Sequence, residues 1–351
     1  MSAVKKILVL RLGAMGDILF TTPALRGLKA KYPDSHLTYV LMKKWAFLLA
    51  RNPCVDRVVG LRYRQPRAVR GLARESFDLL VNFYEFEDAA QICETLSAVE
   101  RRGNRWIDGR LVCDDQSRWI AKDLDTQREL LRSGMCLPEV YCRIAGVEPA
   151  GCRPDFSPGR LARLRARLFL MRRGLDRPPA PIALHLHSRG SPAKSWNPAS
   201  ALQLVRRMPD QQFLVLGYKG DRPQTRDLER EPNAVVTYSD APAQAAMLGA
   251  CALFVGIDSG PRQLAVAMGT PTLTLFGPRP AGFVPHTPHD AGLSLRETCA
   301  PCFLENCPLG RCCLDQIPMD RIEQAVREVL SRNAAGVGQN LPCPPGAEKH
   351  A

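Results

Sequence analysis

Lys5–Pro33 reads KKILVLRLGAMGDILFTTPALRGLKAKYP. The run from Lys6 to Leu12 is short and apolar, as a buried strand requires, and Gly13-Ala14-Met15-Gly16-Asp17 breaks it. A helical stretch follows to Lys31 and stops before Pro33, with Thr22 and Pro23 in the N-cap and N1 order of a helix start. Strand, glycine turn and helix in that order open an α/β unit. The basic-then-apolar start superficially resembles a secretory leader, but Arg11 interrupts the apolar stretch and Asp17 follows with no small-residue cleavage site.

The same alternation continues outward. Strands are expected at Leu37–Met42, Val55–Leu61 and Asp78–Phe83, with a short helix at Trp45–Arg51 and a longer one from Glu87 to Val99. Residues 101–153 carry one further expected helix, near Ser117–Arg132. A second series starts after the Pro-rich break Arg177–Pro181. Its strands are Ile182–His187, Gln212–Tyr218, Ala234–Tyr238, Ala252–Ile257 and Thr272–Phe276, and its helices are Pro198–Arg207, Pro242–Ala250 and Pro261–Met268. Apolar strands alternating with helices imply parallel sheets covered on both faces. The expected fold is therefore α/β with two open-sheet halves, domains 1–176 and 177–332, and a polar, Gly- and Pro-rich disordered tail at 333–351. In such sheets ligands bind beyond the carboxyl ends of the strands, so the loops there carry the chemistry.

Composition narrows the function. With 351 residues, 45% hydrophobic and 24% charged, the chain is an ordinary globular one, neither fibrous nor largely disordered. Lys and Arg number 48 against 35 Asp and Glu, a net charge of +13 that suits anionic partners. Aromatic residues at 7% are too sparse for stacking platforms, and no zinc-finger or RRM-like signature is present, so nucleic acid is not an expected partner. No run of about 18 apolar residues exists, so no transmembrane helix is expected, and a cytoplasmic setting would keep the cysteines reduced or metal-bound.

Three loops stand out. In the first, Gly13 and Gly16 allow a tight turn, and Asp17 is either a helix-capping residue or a carboxylate suited to general-base work. This is no dinucleotide fingerprint, because G-x-x-G is shorter than G-x-G-x-x-G. The second loop, His185–Pro198, offers Ser188, Gly190 and Ser191 donors and the point charge of Lys194, suited to phosphate, with Asn197 as cap of the next helix; its other reading is a solvated connection. His185 and His187 lie two apart on one strand face and read as packing residues more readily than metal ligands. The third, Gly256–Ala265, places Asp258, Ser259 and Gly260 at a helix N-terminus, either a simple cap or an anion site.

Together, Lys5–Pro33, Ala193–Pro198 (AKSWNP) and Gly256–Pro278 (GIDSGPRQLAVAMGTPTLTLFGP) resemble glycosyltransferase family 9, the ADP-heptose:lipopolysaccharide heptosyltransferases, over residues 4 to about 330. The resemblance implies a GT-B fold, two Rossmann-like domains facing across a cleft, the first binding acceptor and the second binding nucleotide sugar. It implies inverting transfer of heptose from ADP-heptose to a lipid A-core precursor, an anionic glycolipid at the cytoplasmic face of the inner membrane, with no cofactor required. Asp17 would be the general base, with Gly13, Gly16 and Thr22 on the acceptor side. Ser188, Lys194, Asp258, Ser259, Gly260 and Gln263 would bind the donor. The family commonly has His where this chain has Gln263, which leaves room for a different sugar donor; a non-catalytic nucleotide-sugar-binding homologue is the remaining alternative.

Five of the thirteen cysteines fall within fifteen positions, at Cys299, Cys302, Cys307, Cys312 and Cys313. Four thiolates from Cys299, Cys302, Cys307 and Cys312 would suit a structural zinc, while free thiols and disulfides remain the other readings. Two basic stretches complete the inventory. Arg62, Arg64, Arg67, Arg70 and Arg74 are expected to meet acceptor phosphates. Arg160–Arg173 (RLARLRARLFLMRR) is expected to be an interdomain helix burying Leu161, Leu164, Leu168 and Met171, or else a contact with a membrane surface.

Overall fold

The apolar run becomes β1 (Lys6–Leu10), with Ile7 to Leu10 fully buried. The computed structural model in which it sits describes residues 4–62, 66–188, 190–285, 287–295, 299–309 and 313–334. After β1 the chain forms α1 (Met15–Phe20), α2 (Thr22–Lys31), β2 (His36–Met42), β3 (Arg57–Leu61), β4 (Ser76–Asn82), α3 (Glu87–Glu94) and β5 (Ser97–Gly103). A small hairpin of β6 (Arg105–Ile107) and β7 (Arg110–Val112) precedes α4 (Leu124–Ser133) and α5 (Leu137–Ala145). β1 to β5 build one parallel sheet in the order β3-β2-β1-β4-β5. One of its faces packs Leu8, Leu10, Val40, Leu80 and Ile92 together; burial of each such side chain stabilises by roughly 1.5–3 kcal/mol.

The second unit runs through α6 (Gly159–Arg172), β8 (Ile182–His185), α7 (Pro198–Arg207), β9 (Phe213–Leu216), α8 (Arg222–Thr225), β10 (Ala234–Thr237), α9 (Ala241–Leu248) and β11 (Leu253–Ile257). It continues with α10 (Gly260–Met268), β12 (Thr272–Phe276), β13 (Ala291–Ser294) and α11 (Met319–Ala334). Its sheet is parallel throughout, in the order β10-β9-β8-β11-β12-β13, over a core that includes Leu184, Val215, Val255, Leu273 and Val326. Among the described residues no helix is long and apolar enough to cross a membrane.

Several expectations are corrected. Thr22 is not a helix cap: Thr21 holds that place, Thr22 is the first helical residue, and its Oγ1 donates to Leu19 O while accepting from Asp155 N–H. The stretch expected to be helix from Glu87 to Val99 stops at Glu94, and Ser97–Gly103 pairs with β4 as an edge strand. Its exposed Ser, Glu and Val side chains conceal the period-2 signal of a buried strand. Trp45–Arg51 gives way to a 3₁₀ segment, Lys43–Leu48, and Ser117–Arg132 divides into a 3₁₀ turn and α4, started by the Asp123 cap on Thr126 N–H. β6, β7, α5, β13 and α11 were not among the expected elements. Asn333 belongs to α11, and the remainder of the expected tail, from 335 on, lies outside the described residues.

The boundary between units falls at Ser157/Pro158 rather than at residue 176, and Gly282–Pro285 returns to the first unit. The physical cause is α6, which packs on α9 of the second unit through Ala162, Ala166 and Leu170. Leu161, Leu164, Leu168 and Met171, expected to be buried, are exposed.

Candidate active site

Both sheets change direction at their first strand, and the three candidate loops follow β1, β8 and β11 at these switch points. In the first unit β2 extends the sheet to one side of β1 and β4 to the other. The segments leaving the carboxyl ends of β1 and β4 are the switch-point loops of the sheet. They carry Arg11 and Asp17 from one strand, and Phe83, Tyr84 and Glu85 from the other.

Arg11 is 2% exposed and organises the site. Its Nη1 donates to Phe83 O at 2.7 Å and to the Glu85 carboxylate; its Nη2 lies 3.4 Å from Asp17 Oδ2. The guanidinium stacks 5.0 Å from the Tyr84 ring centre and 5.5 Å from that of Tyr141. Burial opposes the Arg11 charge, but Tyr141, Glu85 and Asp17 hold its pKa above the ordinary arginine value. Glu85 is buried as well, which alone would raise its pKa; Arg11 and Lys122, the latter at 2.8 Å, outweigh burial and pull it below the usual carboxylate range. Nearby, Tyr39 and Thr21 share a hydrogen bond of 2.9 Å, and burial pushes the Tyr39 phenol well up.

Asp17 stands in the first turn of α1 with its side chain about one-third exposed. Oδ2 accepts from Ala14 N–H at 3.2 Å and faces Arg11; among the described residues Oδ1 has no hydrogen bond. The capping reading of Asp17 holds for Oδ2, which steadies the helix start. Gly13 does not adopt left-handed backbone; its part is space, for a Cβ there would lie 3.0 Å from Asp17 Oδ2 and 3.1 Å from Arg11 Nε. Gly16 lies inside α1, and Thr22 is buried at the start of α2.

In the second unit the switch lies between β8 and β11. Lys194 ends a 3₁₀ turn after β8, and its Nζ meets Asp258 Oδ2, just beyond β11, at 3.2 Å. Burial would raise the Asp258 pKa, but Lys194 and Arg262 hold it below the ordinary value. Ser259 is the N-cap of α10 without a side-chain cap bond; its hydroxyl pairs instead with His185 Nδ1 at 3.1 Å. Burial holds His185 neutral, with a pKa of about 4, and its Nε2 has no hydrogen-bond partner among the described residues. β8 ends at His185, and His187 pairs separately with Ser195 Oγ, which also accepts from Ser188 N–H at 3.0 Å. Gly260 opens α10, whose positive dipole end suits an anion. Gly256 lets β8 and β11 approach, since a Cβ would come 2.4 Å from His185 O. Asn197 caps α7 as its sequence position implies.

Gln263 is buried, with Oε1 accepting from Arg262 Nη1 at 3.2 Å and Nε2 lacking a partner among the described residues. Arg262 is fully buried and lies 3.8 Å from Asp290, a carboxylate fixed by Thr272 and Thr287. Sequence reasoning missed Arg11, Glu85 and Arg262 as site residues. The signal for Arg11 was available: a charged residue embedded in an otherwise buried strand run, KILVLRL, needs partners.

The cysteine-rich segment packs beside these loops. Glu305 O accepts from Ala193 N–H at 2.9 Å, Pro278 O accepts from Phe303 N–H at 2.8 Å, and a Cβ on Gly277 would lie 2.8 Å from Cys313 Sγ. Cys299, Cys302 and Cys307 do not gather as a ligand set within the described residues, and Cys312 lies outside them. One such group does form, Cys136, Glu139 and Cys152, with ligating atoms within 4.8 Å of one another. A hydrogen bond between the two sulfurs, aided by burial of Cys136, pushes the Cys136 thiol up, and the same bond pulls Cys152 down. Arg62, Arg67, Arg70 and Arg74 are exposed; Arg64 lies outside the described residues.

A model of glycosyltransferase family 9 (heptosyltransferase) matches residues 67–312. Lipopolysaccharide heptosyltransferase 1 of Pseudomonas aeruginosa is 25% identical over 338 residues, covering 86% of this chain and 87% of that protein. Among solved structures, a family 9 glycosyltransferase from Veillonella parvula superposes with a TM-score of 0.75 at 19% identity, covering 95% of this chain and 99% of that one. The Escherichia coli ADP-heptose lipopolysaccharide heptosyltransferase II gives 0.70 at 17% identity, covering 94% and 99%. The two parallel sheets accord with the GT-B architecture of these neighbours. With a family model matched over most of its length, this chain belongs to glycosyltransferase family 9, the heptosyltransferases, and is a glycosyltransferase.

Proposed function

We propose that this enzyme transfers heptose from ADP-heptose to the inner core of lipopolysaccharide with inversion at the anomeric carbon, and that Asp17 is the base. The observation that carries the reading is the state of Asp17: one carboxylate oxygen fixed by Ala14 N–H and Arg11, the other without a hydrogen bond among the described residues, on a partly exposed side chain at a sheet switch point. As the acceptor oxygen attacks the anomeric carbon, its proton passes to Asp17. The bond from that carbon to the diphosphate breaks, and ADP departs. A single displacement inverts configuration and requires no second carboxylate nucleophile; the same stereochemical logic governs glycosidases.

Charge develops on the departing diphosphate. Lys194, Ser259 and the N–H groups opening α10 are the donors suited to meet it, and Ser188 lies on the same loop as Lys194. In this reading Asp258 holds Lys194 in place until a diphosphate competes for its charge. Arg11 and Glu85 are positioning residues, because they act through the orientation of Asp17. None of these steps calls on a metal or cofactor. The acceptor is an anionic glycolipid, its phosphates met by the exposed arginines between 62 and 74, and the enzyme works at the cytoplasmic face of the inner membrane. A different nucleotide-sugar donor is the second reading, and it rests on Gln263 standing where the family commonly has His.

Replacing Asp17 with Ala is expected to lower turnover by about 10²–10⁴-fold, with ADP affinity by calorimetry unchanged within about twofold. Product mass from a panel of nucleotide sugars identifies the donor. Undiminished turnover in Asp17→Ala would remove Asp17 as base.

A further inference from the structure

α6 has two apolar stripes. One, Ala162, Ala166 and Leu170, is buried against its own unit. The other, Leu161, Leu164, Leu168 and Met171, is 60%, 53%, 40% and 49% exposed. At about 100° per residue the exposed four share an arc of about 80°, centred opposite the buried stripe. Arg165 and Arg172 flank that arc on one edge, Arg160 and Arg167 on the other, and the helix contains no acidic residue. Among the described residues only Arg165 of these four has an acidic partner, Asp240 at 3.8 Å, and both side chains are exposed.

Beside the helix lies a groove of about 410 Å³ whose lining includes Ala166, Leu170 and Ala246, with Arg163, Arg167 and Arg177 against the single acidic residue Asp176. Exposed apolar side chains in a continuous row mark a contact surface. A row bordered on both sides by arginines has the form of a helix lying in the plane of a membrane, leucines among the acyl chains and guanidinium groups at the phosphates. A protein partner would need matching acidic rows on both sides of an apolar ridge, whereas an anionic lipid surface supplies that complement everywhere.

The geometry points to α6 as the element by which this enzyme docks on an anionic lipid surface, its axis parallel to that surface. The inference rests on the reading that the acceptor is a membrane glycolipid and names the part of the chain that meets the bilayer. Sedimentation with lipid vesicles lacking acceptor tests it apart from catalysis, and transfer to a detergent-soluble acceptor tests the catalytic reading apart from docking.

The protein is expected to bind phosphatidylcholine vesicles containing phosphatidylglycerol, and to bind pure phosphatidylcholine far more weakly. The triple variant Arg160→Gln/Arg167→Gln/Arg172→Gln should lower partition by about a hundredfold, at roughly fivefold per charge. Leu161→Ser/Leu164→Ser/Leu168→Ser should lower it by about tenfold or more. Arg110→Gln/Arg132→Gln/Arg143→Gln, which removes equal charge from exposed positions of the other unit, should stay within about threefold of the parent. Melting curves establish that each variant is folded. Failure to bind anionic vesicles, an equal loss in the control triple, or no loss in the leucine triple overturns the assignment. Conversion of a dimer to a monomer by the leucine triple, with vesicle binding intact, would show that a second copy covers the stripe.

Discussion

The two halves of this enzyme share a frame and differ in what they hang on it. In each, the first strand of a parallel sheet has neighbours added first on one side and then on the other, so that β1 and β4, or β8 and β11, splay their loops apart at the switch point. The first switch point is filled by two carboxylates, Asp17 and Glu85, joined through one buried guanidinium. The second is filled by a lysine, a neutral histidine, a serine hydroxyl and a helix N-terminus. Topology determines where a ligand can be met; on the proposed function, the residues just past the strand ends make the first switch point take up a proton and the second receive negative charge.

The contrast also concerns how each half tolerates burial of charge. The first keeps Arg11 and Glu85 charged by pairing them, so removing one partner strands the other. Glu85→Gln is expected to destabilise the protein by about 3–5 kcal/mol, measured by urea unfolding. An effect under about 1 kcal/mol would mean that Phe83 O, Asp17 and the two tyrosine rings suffice for Arg11, and that the halves differ less than their geometry implies.

The second half keeps His185 uncharged. Its folded-state value of about 4 lies below the ordinary 6.5, so the unfolded chain takes up the proton first as pH falls. Stability therefore declines from about pH 6.5 down to about pH 4, by on the order of 3 kcal/mol, and flattens below. His185→Gln should remove that component from the difference between parent and variant unfolding curves. Parallel pH profiles for the two proteins would place a charged, partnered histidine there instead.

The smallest expected effect separates the halves by function. Lys194→Ala should weaken ADP binding by about 10–100-fold, the worth of a charge-assisted hydrogen bond, and leave Asp17-dependent proton transfer in place once donor saturates. Isothermal titration with ADP and turnover at saturating donor read the two separately. A loss confined to turnover, with ADP affinity intact, would move Lys194 from the donor diphosphate to the reacting centre.

Much of the site was legible because loops after apolar strands are short and locally encoded. Gly13 through Asp17 and Asp258 through Gly260 stand where strand–turn–helix punctuation put them, and Thr272–Phe276 and Pro198–Arg207 have the ends that apolar runs, Asn197 and proline dictate. Less legible were elements whose stability is supplied by neighbours. β5 carries Glu100, Arg101 and Arg102 and is a strand because β4 offers it an edge. α6 looked like a helix that should bury its leucines, yet small alanines face α9 and allow closer packing than leucine would.

The amino-acid order alone established the α/β alternation, the two halves and the carboxylate and lysine loops, because local periodicity and turn residues act over a few positions of chain; the family followed from the resemblance of three motif stretches. Only the tertiary structure decided that Arg11 and Glu85, 74 positions apart, form one buried pair, that His185 answers to Ser259, and that α6 turns its leucines outward. Those outcomes depend on which strand ends a sheet brings together and on which face finds a neighbour, and neither is set by residues close in sequence.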